Sequence, residues 1–135
     1  MTKRQLNEIV YAIIGAAIEV HKELEPGLLE SIYEKCIVHV LRQKGLMVAS
    51  QQKVPVMFQG IELDCDLRFD LLVENEIIVE IKAIDNILPV HQAQLLTYLK
   101  LLDKAKGILI NFNCTNIYKE GQKTMATAKF AALND

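Results

Sequence analysis

Cysteine is sparse in this chain, and Cys36, Cys65 and Cys114 lie far apart with no C-x-x-C pair. That pattern argues against a zinc knuckle or a disulfide framework and leaves reduced, cytoplasmic thiols as the expectation. Long apolar runs are also missing. The stretch Ile9 to Ile18 follows Lys3 and Arg4 as a signal peptide would, but Glu8 and Glu19 bracket it and it is too short to cross a bilayer. An amphipathic helix accounts for it, and no membrane partner is expected. An excess of basic residues is absent too, since the formal net charge is -2, which sits awkwardly with a phosphate-rich ligand. A carboxylate metal site would nevertheless add negative charge that only a bound cation cancels, so net charge does not exclude such a ligand. Low-complexity tracts and internal repeats are lacking. With 51% hydrophobic and 24% charged residues over 135 positions, the chain reads as one globular domain, 1–135, able to bury its own core.

What is present is strong periodicity. Ile9, Ile13, Ala16, Val20 and Leu24 recur at helical spacing until Pro26-Gly27, and Leu29, Ile32, Tyr33, Cys36, Ile37, Val40 and Leu41 repeat it until Gly45. Two helices over 4–43 are expected. From Val54 the period becomes two, and Gly60 offers a turn into a run where Ile61, Leu63, Cys65, Leu67, Phe69, Leu71 and Val73 alternate with polar residues. This predicts a long strand with one buried face. Glu74-Asn75-Glu76 forms a tight turn, and Ile77 to Ile84 a third strand. Pro89 to Leu102 is spaced as a helix through Val90, Leu95, Leu99 and Leu102, and Gly107 to Phe112 reads as a strand buried on both faces. The strands and crossover helix thus occupy 48–113 and imply a parallel crossover. The tail, 114–135, is assigned only loosely, with a short strand at Ile117-Tyr118 and a helix between Ala126 and Leu133.

If Val73 lies opposite Ile77, Leu71 meets Val79 and Phe69 meets Ile81 on the apolar face. The other face then sets Asp70 across from Glu80, and Arg68 across from Lys82. Opposed carboxylates repel, and a divalent cation between them would remove the conflict. In an ordinary strand, Lys82 and Arg68 would simply pair with the two acids on a solvated face. Against this, Ile78 and Ile84 share the face of Glu80 and Lys82, so that face is covered, and burying such charges without a metal or a partner is costly. The pattern favours a functional site. His91 is expected to cap its helix or face solvent.

Asp70, then Glu80-Ile81-Lys82 across a hairpin, then a helix and a buried strand resembles the core of the PD-(D/E)xK nucleases. Gly27-Leu28-Leu29-Glu30-Ser31-Ile32-Tyr33 is similar to the motif that names the GxxExxY proteins, a bacterial and archaeal family of that superfamily. The resemblance covers about Ile14 to Phe112; Phe69 stands where the name-giving proline would be. It implies an α/β, restriction-endonuclease-like αβββαβ core, a mixed sheet flanked by helices. It further implies that Asp70 and Glu80 ligate Mg²⁺, that Lys82 acts on the water or the developing charge, and that Glu30 reaches the site. Gln94 and Tyr98 match a Q-x-x-x-Y element found after the lysine in many relatives.

The expected function is metal-dependent hydrolysis of nucleic-acid phosphodiesters, DNA before RNA, with Mg²⁺ or Mn²⁺ on Asp70, Glu80 and the Ile81 carbonyl. The alternative is a nuclease fold kept as a non-cleaving module that binds nucleic acid or protein. No recognition domain is visible, so specificity would come from a homodimer, a separate partner, or substrate shape.

Overall fold

In the computed structural model, which describes residues 1–135, the chain opens with helix α1 (Lys3–Leu24). A capping box starts it, with the Thr2 side chain on the Gln5 N–H and the Gln5 side chain on the Thr2 N–H. Its buried stripe, including Ile9, Ile13, Ala16 and Val20, packs against α2 (Glu30–Gln43). In α2 the inward residues are Tyr33, Ile37 and Leu41. Leu29 and Ile32, expected on this stripe, are exposed. Leu29 is the N-cap, so both residues sit at the helix start, away from the sheet.

Five strands form one mixed sheet: β1 (Val48–Ser50), β4 (Leu71–Val73), β5 (Ile77–Lys82), β6 (Lys106–Asn111) and β7 (Gln122–Ala126), in that order. β5 and β6 run parallel, and the other neighbours are antiparallel. Helix α3 (Pro89–Leu101) makes the crossover between β5 and β6. A Cβ on Gly107 would lie 2.9 Å from Leu95 Cδ1 and 3.0 Å from the Ile78 carbonyl. Glycine there lets α3 lie close upon the sheet. The order α2–β1–β4–β5–α3–β6 is the expected αβββαβ core, with helices on both faces of the sheet. One core joins α1, α2 and the face of Leu71, Val73, Val79 and Ile81. A smaller one beneath α3 joins Leu72, Ile78, Leu95, Tyr98 and Leu99.

The hairpin register is the expected one, with Leu71 opposite Val79 and Val73 opposite Ile77. Glu74 and Asn75 take positive φ in its turn. The long strand is not continuous, however. Hydrogen bonds continue the β1–β4 pairing from Gln51 to Asp70 and from Val54 to Leu67, after which residues 55–66 leave the sheet. There β2 (Met57–Phe58) and β3 (Ile61–Glu62) form a separate hairpin around Gly60. Ile61, Leu63 and Cys65 are exposed, because this alternating segment has no layer to pack on. Phe69 departs as well: it packs beneath α3 with Leu72 and Ile78, not beside Ile81.

Val90, also expected inside, is exposed on the first turn of α3. In the tail, Ile117 and Tyr118 belong to helix α4 (Ile117–Glu120), capped by the Asn116 side chain, not to a strand. The edge strand β7 was not foreseen, and the helix expected from Ala126 is the short α5 (Ala128–Ala131).

Candidate active site

Past Leu71 the chain bends, and side chains take over the β4–β5 ladder. The Asp70 N–H donates to Glu80 Oε2 at 2.8 Å, and the Ile81 N–H donates to Asp70 Oδ2 at 2.7 Å. Each acid thus occupies a main-chain amide of the other's strand. Ile81 turns its N–H toward β4, and in a strand the C=O of the same residue projects to the same side. Continued pairing would match that carbonyl with the Phe69 N–H, which donates instead to the Gln52 carbonyl. Ile81 therefore aims its carbonyl at the gap beside Asp70.

Glu80 is only 4% exposed. Burial first, and the neighbouring Asp70 charge second, push its carboxyl up to about 8; Lys82 opposes this only in part. None of the four ion pairs in the molecule includes Asp70, Glu80 or Lys82. Arg68 does not lie across from Lys82: its guanidinium binds Asp66 and the Gln51 carbonyl, because the chain has already left the β5 ladder. The simple charge-paired strand face is not what forms here.

This donor set decides which cation would suit it. No three His, Cys, Asp or Glu side chains converge as a group able to hold an ion, so a closed site of zinc type is not built. Two carboxylates and a backbone carbonyl are hard oxygen donors of the kind Mg²⁺ accepts, with water and substrate oxygens completing its shell. An acid buried beside another acid, with no ion pair, fits such an ion.

Two helices approach the pair. From the first turn of α2, Glu30 Oε1 accepts the Ala83 N–H at 3.3 Å. Glu30, Ser31, Glu34, Gln51, Asp70 and Ile81 line a cavity of about 180 Å³. Tyr33 turns the other way: its hydroxyl donates to the Glu25 carbonyl at 2.5 Å and accepts the Leu28 N–H, while its ring stacks on Phe112 at 4.4 Å. A Cβ on Gly27 would meet nothing within 4 Å. Its φ of 118° is the reason for glycine. From α3, the buried Tyr98 feels the charges of Glu80 and Asp70, which, after burial itself, raise its hydroxyl pKa. Gln94 is exposed and donates to the Tyr98 hydroxyl at 3.0 Å, so it borders the site through Tyr98. His91 caps α3, its Nδ1 accepting the Leu88 N–H.

Sequence reasoning missed Glu34 and Gln51. Gln51 Nε2 donates to Glu34 Oε1 at 2.7 Å and to Asp70 Oδ1 at 3.2 Å. Burial first, then Asp70 and Glu30, raise the Glu34 carboxyl pKa. Glu34 lies one helical turn after Glu30, and that spacing was a usable signal. Nothing comparable marked Gln51, whose placement depends on a backbone bend.

No curated protein and no solved structure matches this chain. The family model of the PD-(D/E)XK nuclease superfamily matches residues 7–124, a span that contains Glu30, Asp70, Glu80, Lys82 and Gln94. With the mixed sheet, the αβββαβ order and the linked acids of β4 and β5, the chain belongs to the PD-(D/E)XK nuclease superfamily.

Proposed function

We propose that residues 1–135 form one metal-dependent nuclease domain that hydrolyses phosphodiester bonds of nucleic acid, DNA being the expected substrate. The observation that carries this reading is the Glu80 carboxyl, buried against Asp70 without an ion pair. Asp70, Glu80 and the Ile81 carbonyl would hold Mg²⁺ or Mn²⁺. Such an ion, once bound, supplies Lewis acidity toward a phosphate oxygen and acidifies a water. Lys82, beside Glu80 and without a carboxylate partner, neutralises charge that develops on the phosphate and orients the attacking water. Glu30 and Gln94 flank the reaction centre from α2 and α3. Gly27, Glu30 and Tyr33 further support placement among the GxxExxY proteins.

We infer that a homodimer, a partner protein or the shape of the substrate sets specificity. No helix is long and apolar enough to cross a membrane, and the scattered free cysteines suit a cytoplasmic setting.

The test is cleavage of single- and double-stranded DNA and RNA, with Mg²⁺, with Mn²⁺ and with a chelator. Metal-dependent cutting that Asp70→Asn removes is the expected result. Nucleic-acid binding without cutting in either metal would hand the fold to the non-cleaving module instead.

A further inference from the structure

Six residues other than glycine adopt positive φ. Five of them close turns or end helices: Glu25 after α1, Gln59 in the β2–β3 turn, Glu74 and Asn75 in the β4–β5 turn, and Asp103 after α3. Gln51, at φ 52°, sits instead at a bend directly after β1, where its main chain still pairs with Asp70. Its N–H donates to the Asp70 carbonyl at 2.9 Å, and the next rung joins the Phe69 N–H to Gln52. Left-handed backbone is unfavourable for an ordinary side chain and persists where the surroundings impose it. Here the bend turns the amide of Gln51 to a place where one nitrogen meets two carboxylates, Glu34 of α2 and Asp70 of the sheet. The Arg68 guanidinium holds the Gln51 carbonyl at 2.9 Å and so fixes the bend from behind.

Asp70 is consequently gripped at both oxygens, Oδ2 by the Ile81 N–H and Oδ1 by Gln51. A carboxylate held so cannot rotate freely, and its remaining lone pairs point in fixed directions. We propose that Gln51 is a positioning residue: it orients the Asp70 carboxylate for the cation and couples that carboxylate to Glu34, which makes α2 part of the site. The inference rests on the metal-dependent reading above and concerns how its first ligand is held. Side chains that orient metal ligands in this manner typically contribute about 10–100-fold to metal affinity or activity.

Two variants of the full chain test it, with Mn²⁺ alone as the probe. Gln51→Met keeps the length of the side chain and the bent backbone but removes the donor. Gln51→Gly removes the side chain where glycine suits the φ, so its fold should hold. Both should keep the circular dichroism of the wild type yet bind Mn²⁺ at least about tenfold more weakly in calorimetry. In cleavage assays kcat should fall, with KM for the oligonucleotide unchanged. Wild-type affinity in both variants would overturn the role of Gln51 and leave the metal site standing. Loss of the fold in both would make Gln51 a structural brace and overturn the proposal equally. No Mn²⁺ binding by the wild type would remove the metal reading and this inference together.

Discussion

Asp70 and Glu80 exchange main-chain support across the β4–β5 junction: Glu80 accepts the amide of Asp70, while Asp70 accepts the amide of Ile81, the residue after Glu80. These bonds keep two like charges adjacent even though electrostatics alone would part them. The Asp70 amide stabilises the ionised Glu80 carboxylate only partly, and burial of Glu80 prevails. The site is thus built rigidly but left short of positive charge, and that imbalance yields measurable consequences.

Stability without metal should fall as pH rises. Glu80 goes from an ordinary 4.5 to about 8 in the folded chain, so between those values the folded state retains a proton that the unfolded state releases. The stabilising difference is fully present below about pH 4.5 and is lost as pH climbs through about 8. Glu80→Gln, neutral throughout, should flatten that slope and leave the metal-free protein more stable at pH 8, by an amount on the order of a few kcal/mol at most. Urea unfolding of both proteins in chelator at pH 5 and pH 8 measures it. Parallel slopes for the two would refute the assigned burial of charge.

Mg²⁺ or Mn²⁺ should reverse this penalty. A ligand that binds only the folded state adds RT ln(1 + [L]/Kd), about 2.7 kcal/mol at a hundredfold excess over Kd. The melting temperature should therefore rise with metal, more at pH 8 than at pH 5, since protonated Glu80 cannot ligate. Asp70→Asn and Glu80→Gln should each abolish the rise. Scanning calorimetry with and without a DNA oligonucleotide checks it, and an unchanged melting point in the wild type would count against the site.

How far the sequence reveals this arrangement depends on whether local pattern and global packing agree. The hairpin from Leu71 to Val79 was legible because alternation admits one register only, and the shared register brought Asp70 near Glu80. Ile61, Leu63 and Cys65 alternate just as well, yet they stay exposed, since the separate β2–β3 hairpin that holds Ile61 has no layer packed on it. Alternation reports a strand's two faces and cannot tell whether a layer covers either. Gln51 carried no signal at all, because its role arises from one φ angle. β7 was hidden for a similar reason: an edge strand with Lys123 and Thr124 exposed lacks the apolar run that marks a buried one.

Tyr33 should matter for stability rather than for contact with substrate. Its hydroxyl takes two main-chain groups of the α1–α2 connection, at Glu25 and Leu28, and its ring stacks on Phe112. Tyr33→Phe keeps the stack but leaves both groups without that partner, a loss of about 1–3 kcal/mol. The shift should appear in chemical denaturation, with Mn²⁺ affinity of the folded protein little changed. A larger effect on metal binding than on stability would mean that this connection tunes the site through Glu30.

Lys82 should separate catalysis from binding. It follows Glu80 by two residues at the end of β5, and its positive charge favours the ionised Glu80 carboxylate. It nevertheless forms no ion pair with Glu80 or Asp70, so its ammonium remains available to a phosphate or an attacking water. Lys82→Ala removes that ammonium while leaving the proposed metal ligands, Asp70 and Glu80, in place. Folding and metal binding should persist, and Glu80 should ionise somewhat less readily. Cleavage should fall by two or more orders of magnitude, roughly 3 kcal/mol of transition-state stabilisation. Single-turnover cleavage at saturating metal, alongside an oligonucleotide binding isotherm, distinguishes the two effects. Equal cutting by Lys82→Ala and wild type would reduce the lysine to a surface charge, whereas loss of binding in step with cutting would make it a phosphate anchor instead of a participant in the chemical step.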